Sequence, residues 1–249
     1  MTRRTAHASR GESPHRAGEG SAGSTAVAFT AAAIALGNAS SASAAVGQLL
    51  VYLHVAVKQR AFQGLLSAGL PGVRATAVGR IADFDRAIQE APDAVLTLPI
   101  VLAEKGLSPA VRGAMRGSTE ERYALVGIGA SPDPSRVAKV GALDILGREG
   151  SNRFVRSLVG AQAHVERVTK FEDLLPLLQM QRVEAVLLPS RLISDLRAAS
   201  RLPLTERELQ ATVGLPAVAS TGPNASSVLG AIRKLPKDTS KLFGVDEWP

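Results

Sequence analysis

The sequence predicts an α/β fold of two lobes, each a mainly parallel sheet flanked by helices. Three observations carry that expectation. From residue 46 onward, short apolar runs of strand length alternate with stretches of helical period, which is the pattern of parallel βαβ units. Ser131-Pro132-Asp133-Pro134 interrupts the alternation, as a connection between two bodies does. An internal echo also runs through the chain. Phe84-Asp85-Arg86 leads through a helical stretch to Asp93-Ala94-Val95-Leu96-Thr97-Leu98-Pro99, and Phe171-Glu172-Asp173 leads likewise to Glu184-Ala185-Val186-Leu187-Leu188-Pro189.

The first segment is a leader. Residues 1–24 are polar and carry Arg3, Arg4, Arg10 and Arg16; the apolar run Ala26–Leu36 follows, then a tract of small residues ending Ala42-Ser43-Ala44. A basic start, a short apolar core and an Ala-x-Ala site make a secretory signal peptide. The core falls short of the ~20 residues that span a bilayer. Cleavage near Ala44 is expected to leave a mature chain that begins at Ala45, lies in the periplasm and has no membrane span.

In the mature chain, Leu49 to Val55 reads as a buried strand. A helix through Phe62, Leu65 and Leu66 ends near Gly69, with Pro71 beyond it as a stop. Val73–Val78 alternates as a strand. Asp83 is a candidate cap for a helix carrying Phe84, Ala87 and Ile88, stopped by Pro92. Ala94–Leu98 is a short apolar strand, residues 105–121 read as mostly irregular, and Tyr123–Ile128 is again a strand.

After the break, Val140–Leu146 reads as a strand, and Ser151 or Asn152 caps a helix with Phe154, Val155, Leu158 and Val159 inward. Val165–Val168 is a strand. Phe171, Leu174, Leu175 and Leu178 share one helical face. Asp173 is preferred as the cap there, because Pro176 then falls in the first turn, where a missing N–H costs little. Ala185–Leu188 is a strand, and Ser190 caps a helix through Leu192, Ile193 and Leu196. Leu209–Val218 forms a last strand region, and Pro223-Asn224 opens a final helix with Val228, Leu229 and Ile232. The expected division is 1–44 as signal peptide, 45–135 plus 205–249 as the first lobe, and 136–204 as the second.

Composition removes several function classes. The chain has no cysteine, so disulfides, thiolate metal sites and cysteine nucleophiles are excluded. Aromatic residues are only 4% of the chain and the net charge of +7 is spread without a basic run, which leaves no stacking platform for nucleic acid. A charge spread in this way reads either as a solvated basic surface or as a field that attracts small anions. No Gly-x-Ser-x-Gly elbow, complete dinucleotide fingerprint, phosphate-cradling Gly-Lys-Ser/Thr loop or His/Asp/Glu cluster of metal spacing occurs. No enzyme activity, cofactor or metal is therefore expected. His54 and His164 are expected to be structural.

The quoted residues also carry a family resemblance. The Ala-rich leader, Ala94–Pro99, the strand leading into Gly147-Arg148-Glu149-Gly150-Ser151-Asn152, Lys170-Phe171-Glu172-Asp173-Leu174-Leu175-Pro176-Leu177-Leu178 and Glu184–Pro189 together resemble the type II periplasmic solute-binding proteins. The likeness is nearest to the phosphate- and phosphonate-binding branch. It implies a ligand cleft between two lobes joined by crossing strands, and delivery of the solute to a membrane transporter of the ABC type.

Ligands of doubly wound lobes sit beyond the carboxyl ends of the strands, against helix N-termini. Ser151 and Asn152 after one strand, Thr97 after another, the matching Ser190-Arg191 junction, and Lys58 after the first strand are the candidate ligand-binding residues. Arg191 could hold a carboxylate or phosphate in bidentate fashion. The expected function is capture of a small anionic solute for a transporter. A ligand-sensing module for a membrane signalling partner and an exported enzyme on the same fold are the alternatives.

Overall fold

The computed structural model describes residues 47–249, and the leader expected over 1–44 lies outside the described residues. Each lobe begins with an apolar strand and is laid down as βα units. The first contains β1 (Gly47–Tyr52), α1 (Gln59–Gly69), β2 (Val73–Val78), α2 (Ile81–Ala87), β3 (Ala94–Thr97), α3 (Pro99–Glu104) and β4 (Pro109–Arg112). The chain then crosses to β5 (Glu120–Ile128), β6 (Lys139–Leu143), α4 (Gly147–Val159), β7 (His164–Val168), α5 (Leu174–Gln179), β8 (Ala185–Pro189), α6 (Ile193–Ala199) and β9 (Leu204–Gly214). It returns through β10 (Ala217–Ser220), α7 (Ala225–Ile232) and α8 (Lys237–Leu242).

The strands form two five-stranded mixed sheets, ordered β2-β1-β3-β10-β4 and β7-β6-β8-β5-β9. In each, three parallel strands are followed by one antiparallel to its neighbour: β10 against β3 and β5 against β8. The echo noted in the sequence falls on equivalent ground, since β3 and β8 are both the third strand of their sheet. Every residue of β3 and of β8 is buried. That is why both read as unbroken apolar runs rather than as alternating ones.

Helices cover the sheets through stripes of the expected period. Phe62 and Leu66 of α1 are buried, as are Phe154, Val155 and Val159 of α4 and all four leucines of α5. A fully buried side chain of this size contributes about 1.5–3 kcal/mol. The first lobe is also tied at its base by Asp93, whose carboxylate accepts the backbone N–H groups of Gln48 and Asn224 at 2.9 Å each. Those two bonds hold its carboxyl below the ordinary value.

The sheets correct the expected boundaries. β5 was expected within the first lobe and β9 at its return, but both hydrogen-bond into the second sheet along a long antiparallel ladder. Leu209–Val218 is thus two strands in two sheets, broken at Leu215-Pro216, where proline cannot donate to a ladder. The crossings are therefore 113–119 and 215–216, and they run side by side: Gly113 N–H donates to Pro216 O at 2.8 Å, and Leu215 N–H to Thr119 O at 2.8 Å. The C-terminal tail braces this hinge, with Ala114 and Glu247 paired across it. The segment expected to be irregular supplies β4 and the crossing.

Candidate interlobe site

The cleft is built from strand ends. The segments after β1, β2 and β3 face those after β6, β7 and β8. An inner cavity of about 30 Å³ lies between the lobes, walled by Tyr52, His54 and Thr97 on one side and by Tyr123, Phe154 and Arg191 on the other, among aliphatic residues. That volume holds one or two water-sized groups. Outside it the cleft widens to about 360 Å³ along Lys58, Arg80 and Asp83 of the first lobe and Thr169, Lys170 and Glu172 of the second. Lys58 and Glu172 also border an adjoining groove of about 790 Å³ toward α5 and α6.

The inner polar groups are held by the protein. Tyr52 Oη donates across the lobes to Asp144 O at 2.9 Å, and Thr97 Oγ1 donates to Tyr52 O at 2.7 Å. Burial raises the Tyr52 and Tyr123 hydroxyls well above their usual range, so both stay protonated. Arg191 forms a buried ion pair with Glu121 of β5, and burial lowers its guanidinium to about 10, which leaves it charged at neutral pH. Asp144 accepts from Arg167 at 2.8 Å and from Ser151 Oγ at 2.9 Å.

His54 stands between the inner cavity and the outer cleft, bordering both. Its ring meets Tyr52 edge-on, with centroids 5.6 Å apart. Burial pushes its imidazole down to about 4, against weaker opposing effects of the Asp144 carboxylate and a hydrogen bond with the Thr169 backbone. At neutral pH it is uncharged. Nε2 is buried and has no hydrogen-bond partner in the protein. His54 was expected to be a structural residue within the first strand, but β1 ends at Tyr52, which leaves His54 beyond the strand at the cleft.

The six residues singled out from the sequence have different fates. Thr97 and Arg191 line the inner cavity and Lys58 the outer cleft. Ser151 does not open its helix: α4 begins at Gly147, so Ser151 lies in the second turn, where its N–H is inside the helix ladder. It is fully buried, and its hydroxyl also accepts the Leu146 N–H at 3.0 Å. Asn152, one residue further along, is equally displaced from the helix start; its Oδ1 is buried without a partner. Ser190 begins a 3-10 turn ahead of α6 and makes no capping bond, and its Oγ is buried and unpaired. Asp83 likewise lies inside α2, which starts at Ile81. The glycines at 147 and 150 concealed the true start of α4, since they suggest a loop. Gly147 in fact takes φ +71°, a conformation that suits glycine, to turn the chain into the helix.

No group of three or more His, Asp or Glu side chains that could hold a metal occurs among the described residues. No helix among them is long and apolar enough to cross a membrane.

No protein-family model matches the sequence, and no curated protein is similar to it in sequence. Solved structures are similar in fold. Holo ArgBP from T. maritima superposes with a TM-score of 0.51 at 15% identity, covering 80% of this chain and 89% of that one. The periplasmic VFT2 domain of BvgS from Bordetella pertussis gives 0.53 at 12% identity, with 82% and 94% covered. A Xanthomonas citri protein bound to ATP gives 0.54 at 10% identity, with 81% and 90% covered. The chain thus has the two-lobed Venus-flytrap fold of the type II periplasmic solute-binding proteins.

Proposed function

We propose that this chain is an exported binding protein that closes its lobes on a small anionic solute and delivers it to a membrane permease. The observation that carries this reading is the pair Lys58 and Lys170. They come from opposite lobes, line the same outer cleft, and have no ion-pair partner among the described residues. The other cation of that cleft, Arg80, is engaged by Asp83 at 2.8 Å. A carboxylate, phosphate or phosphonate between the two lysines would gain a charge-assisted contact with each lobe only when the lobes are closed. The neighbours named above include binders of arginine and of ATP, and those ligands share an anionic group.

A thermal-shift screen of the chain against small carboxylates, amino acids, phosphate and phosphonates tests this reading. A solute at 100 times its Kd adds about 2.7 kcal/mol of stability. Lys58→Ala or Lys170→Ala then weakens that solute by about tenfold, the loss of one charged contact. A screen in which no anion raises the midpoint sinks the reading. Periplasmic localisation is tested by intact mass: a secreted chain beginning at or within a residue or two of Ala45 is expected, and retention of residues 1–44 overturns it.

The likeness to the BvgS domain favours a second reading, in which the closed form signals to a membrane sensor. Co-purification of the solute-loaded protein with a permease or with a kinase separates the two.

A further inference from the structure

We propose that Nε2 of His54 is a specificity-determining acceptor, receiving a hydrogen bond from an amine or hydroxyl at the end of the solute that enters the inner cavity. The inference rests on the proposed function, since it assigns a role within that cleft. Three observations support it. His54 borders both the inner cavity and the outer cleft, so it stands where a solute held at the rim would reach inward. Its Nε2 is buried without a partner, whereas Tyr52, Thr97 and Arg191 beside it are engaged by Asp144 O, Tyr52 O and Glu121. The inner cavity of about 30 Å³ admits a head group of water size and little more.

The tautomer sets the sign of the selection. The imidazole is neutral above about pH 4, so it carries one N–H and one lone pair. The proposal places the proton on Nδ1. Nε2 then keeps the lone pair and can only accept. A methyl group in its place leaves the acceptor unpaired, and an anionic oxygen meets a lone pair. The charged groups around the ring are Asp144 after β6, balanced by Arg167 of β7, and Arg191 after β8, balanced by Glu121 of β5. The rim cations Lys58 and Lys170 lie in the outer cleft. The solute would thus be bifunctional, with its anion outward and its donor inward.

The probes are γ-aminobutyrate, γ-hydroxybutyrate and valerate, which share a carboxylate and chain length and end in an ammonium, a hydroxyl and a methyl group. Calorimetry on the full chain is expected to show at least one donor-bearing probe binding about tenfold more tightly than valerate. His54→Phe should bring the three within about twofold, and His54→Gln, which retains an acceptor, should restore the preference. With histidine labelled in nitrogen-15, the His54 Nε2 resonance should move with the donor probe and stay in place with valerate. Equal affinity for all three probes, or a preference that survives His54→Phe in a variant with native melting behaviour, overturns the inference. So does a His54 ring that no member of the series perturbs. In that case the cleft reading is judged separately, by the anion screen and the two lysine variants.

Discussion

At the scale of single residues, the strongest consequences come from charges and potential charges held away from water. His54 has a folded pKa of about 4 against an ordinary 6.5. Between those values the unfolded chain binds a proton that the folded chain refuses, so stability is full above pH 6.5 and declines as pH falls toward 4. The decline is at most roughly 3 kcal/mol, at 1.36 kcal/mol per unit. Urea midpoints at pH 7.5 and 4.5 should show it, with a smaller drop in His54→Gln. Asp93 and Asp133 are held below the ordinary carboxylate value by hydrogen bonds. Their contributions are lost only below about pH 4, so the two windows separate. Arg191 makes a second case. Glu121→Ala leaves a buried guanidinium without its counter-charge and should cost about 3–5 kcal/mol in denaturant unfolding.

At the scale of elements, α4 and the hinge show how local structure acts on the cleft. Ser151 holds the turn into α4 by accepting from Leu146 N–H and donating to Asp144. Ser151→Ala should therefore lower stability by about 1–3 kcal/mol, the cost of leaving buried partners unsatisfied. It should leave solute affinity close to wild type, unlike Lys58→Ala; comparing calorimetric affinity with the melting midpoint distinguishes the two. At the hinge, a Cβ on Gly113 would stand 2.9 Å from Pro216 O and 2.5 Å from Val245. Gly113→Ala must push the crossing strands or the C-terminal tail apart and should cost about 1–3 kcal/mol. A midpoint unchanged by that substitution would show the hinge to be looser than the contacts imply.

For the whole molecule, the relevant quantity is the balance between open and closed lobes. Among the described residues, hydrogen bonds across the cleft include Tyr52 to Asp144 O and, on the surface, Arg153 to Glu104 at 3.4 Å. Each net bond is worth about 1 kcal/mol, so under the proposed function these links favour a closed form only modestly and a solute would tip the balance. Tyr52→Phe removes one link while keeping the ring that stacks on Phe84 at 5.1 Å. It should raise the radius of gyration in solution scattering without ligand. It should also weaken solute binding by about fivefold, because closure becomes costlier. Identical scattering curves for the two proteins would sink this account.

How far the sequence led follows from which interactions are local. Apolar runs and helical stripes are set by neighbours a few residues apart, so β1, β2, β3, β8, α1 and α7 were legible from Leu49–Val51, Phe62, Leu66 and Val228. Asp173 does not act as the expected cap: it is itself helical and makes no capping bond, because the chain enters a 3-10 turn at Phe171 that runs straight into α5. The division into two lobes followed from the repetition of those local patterns. What stayed hidden depends on partners distant along the chain. β5 and β9 belong to the second sheet because they pair with each other and with β8, and nothing in Tyr123–Ile128 or Leu204–Gly214 names that partner. Ser151 looked like a cap by residue type, yet its hydroxyl is used by Asp144 and the Leu146 backbone. His54 carries no motif; its buried, unpaired nitrogen exists only because two lobes, built from segments far apart in sequence, close around one ring. The sequence determined the alternation of strands and helices through short-range burial and propensity. Tertiary packing alone decided which strands share a sheet and which buried polar atoms are left unpaired.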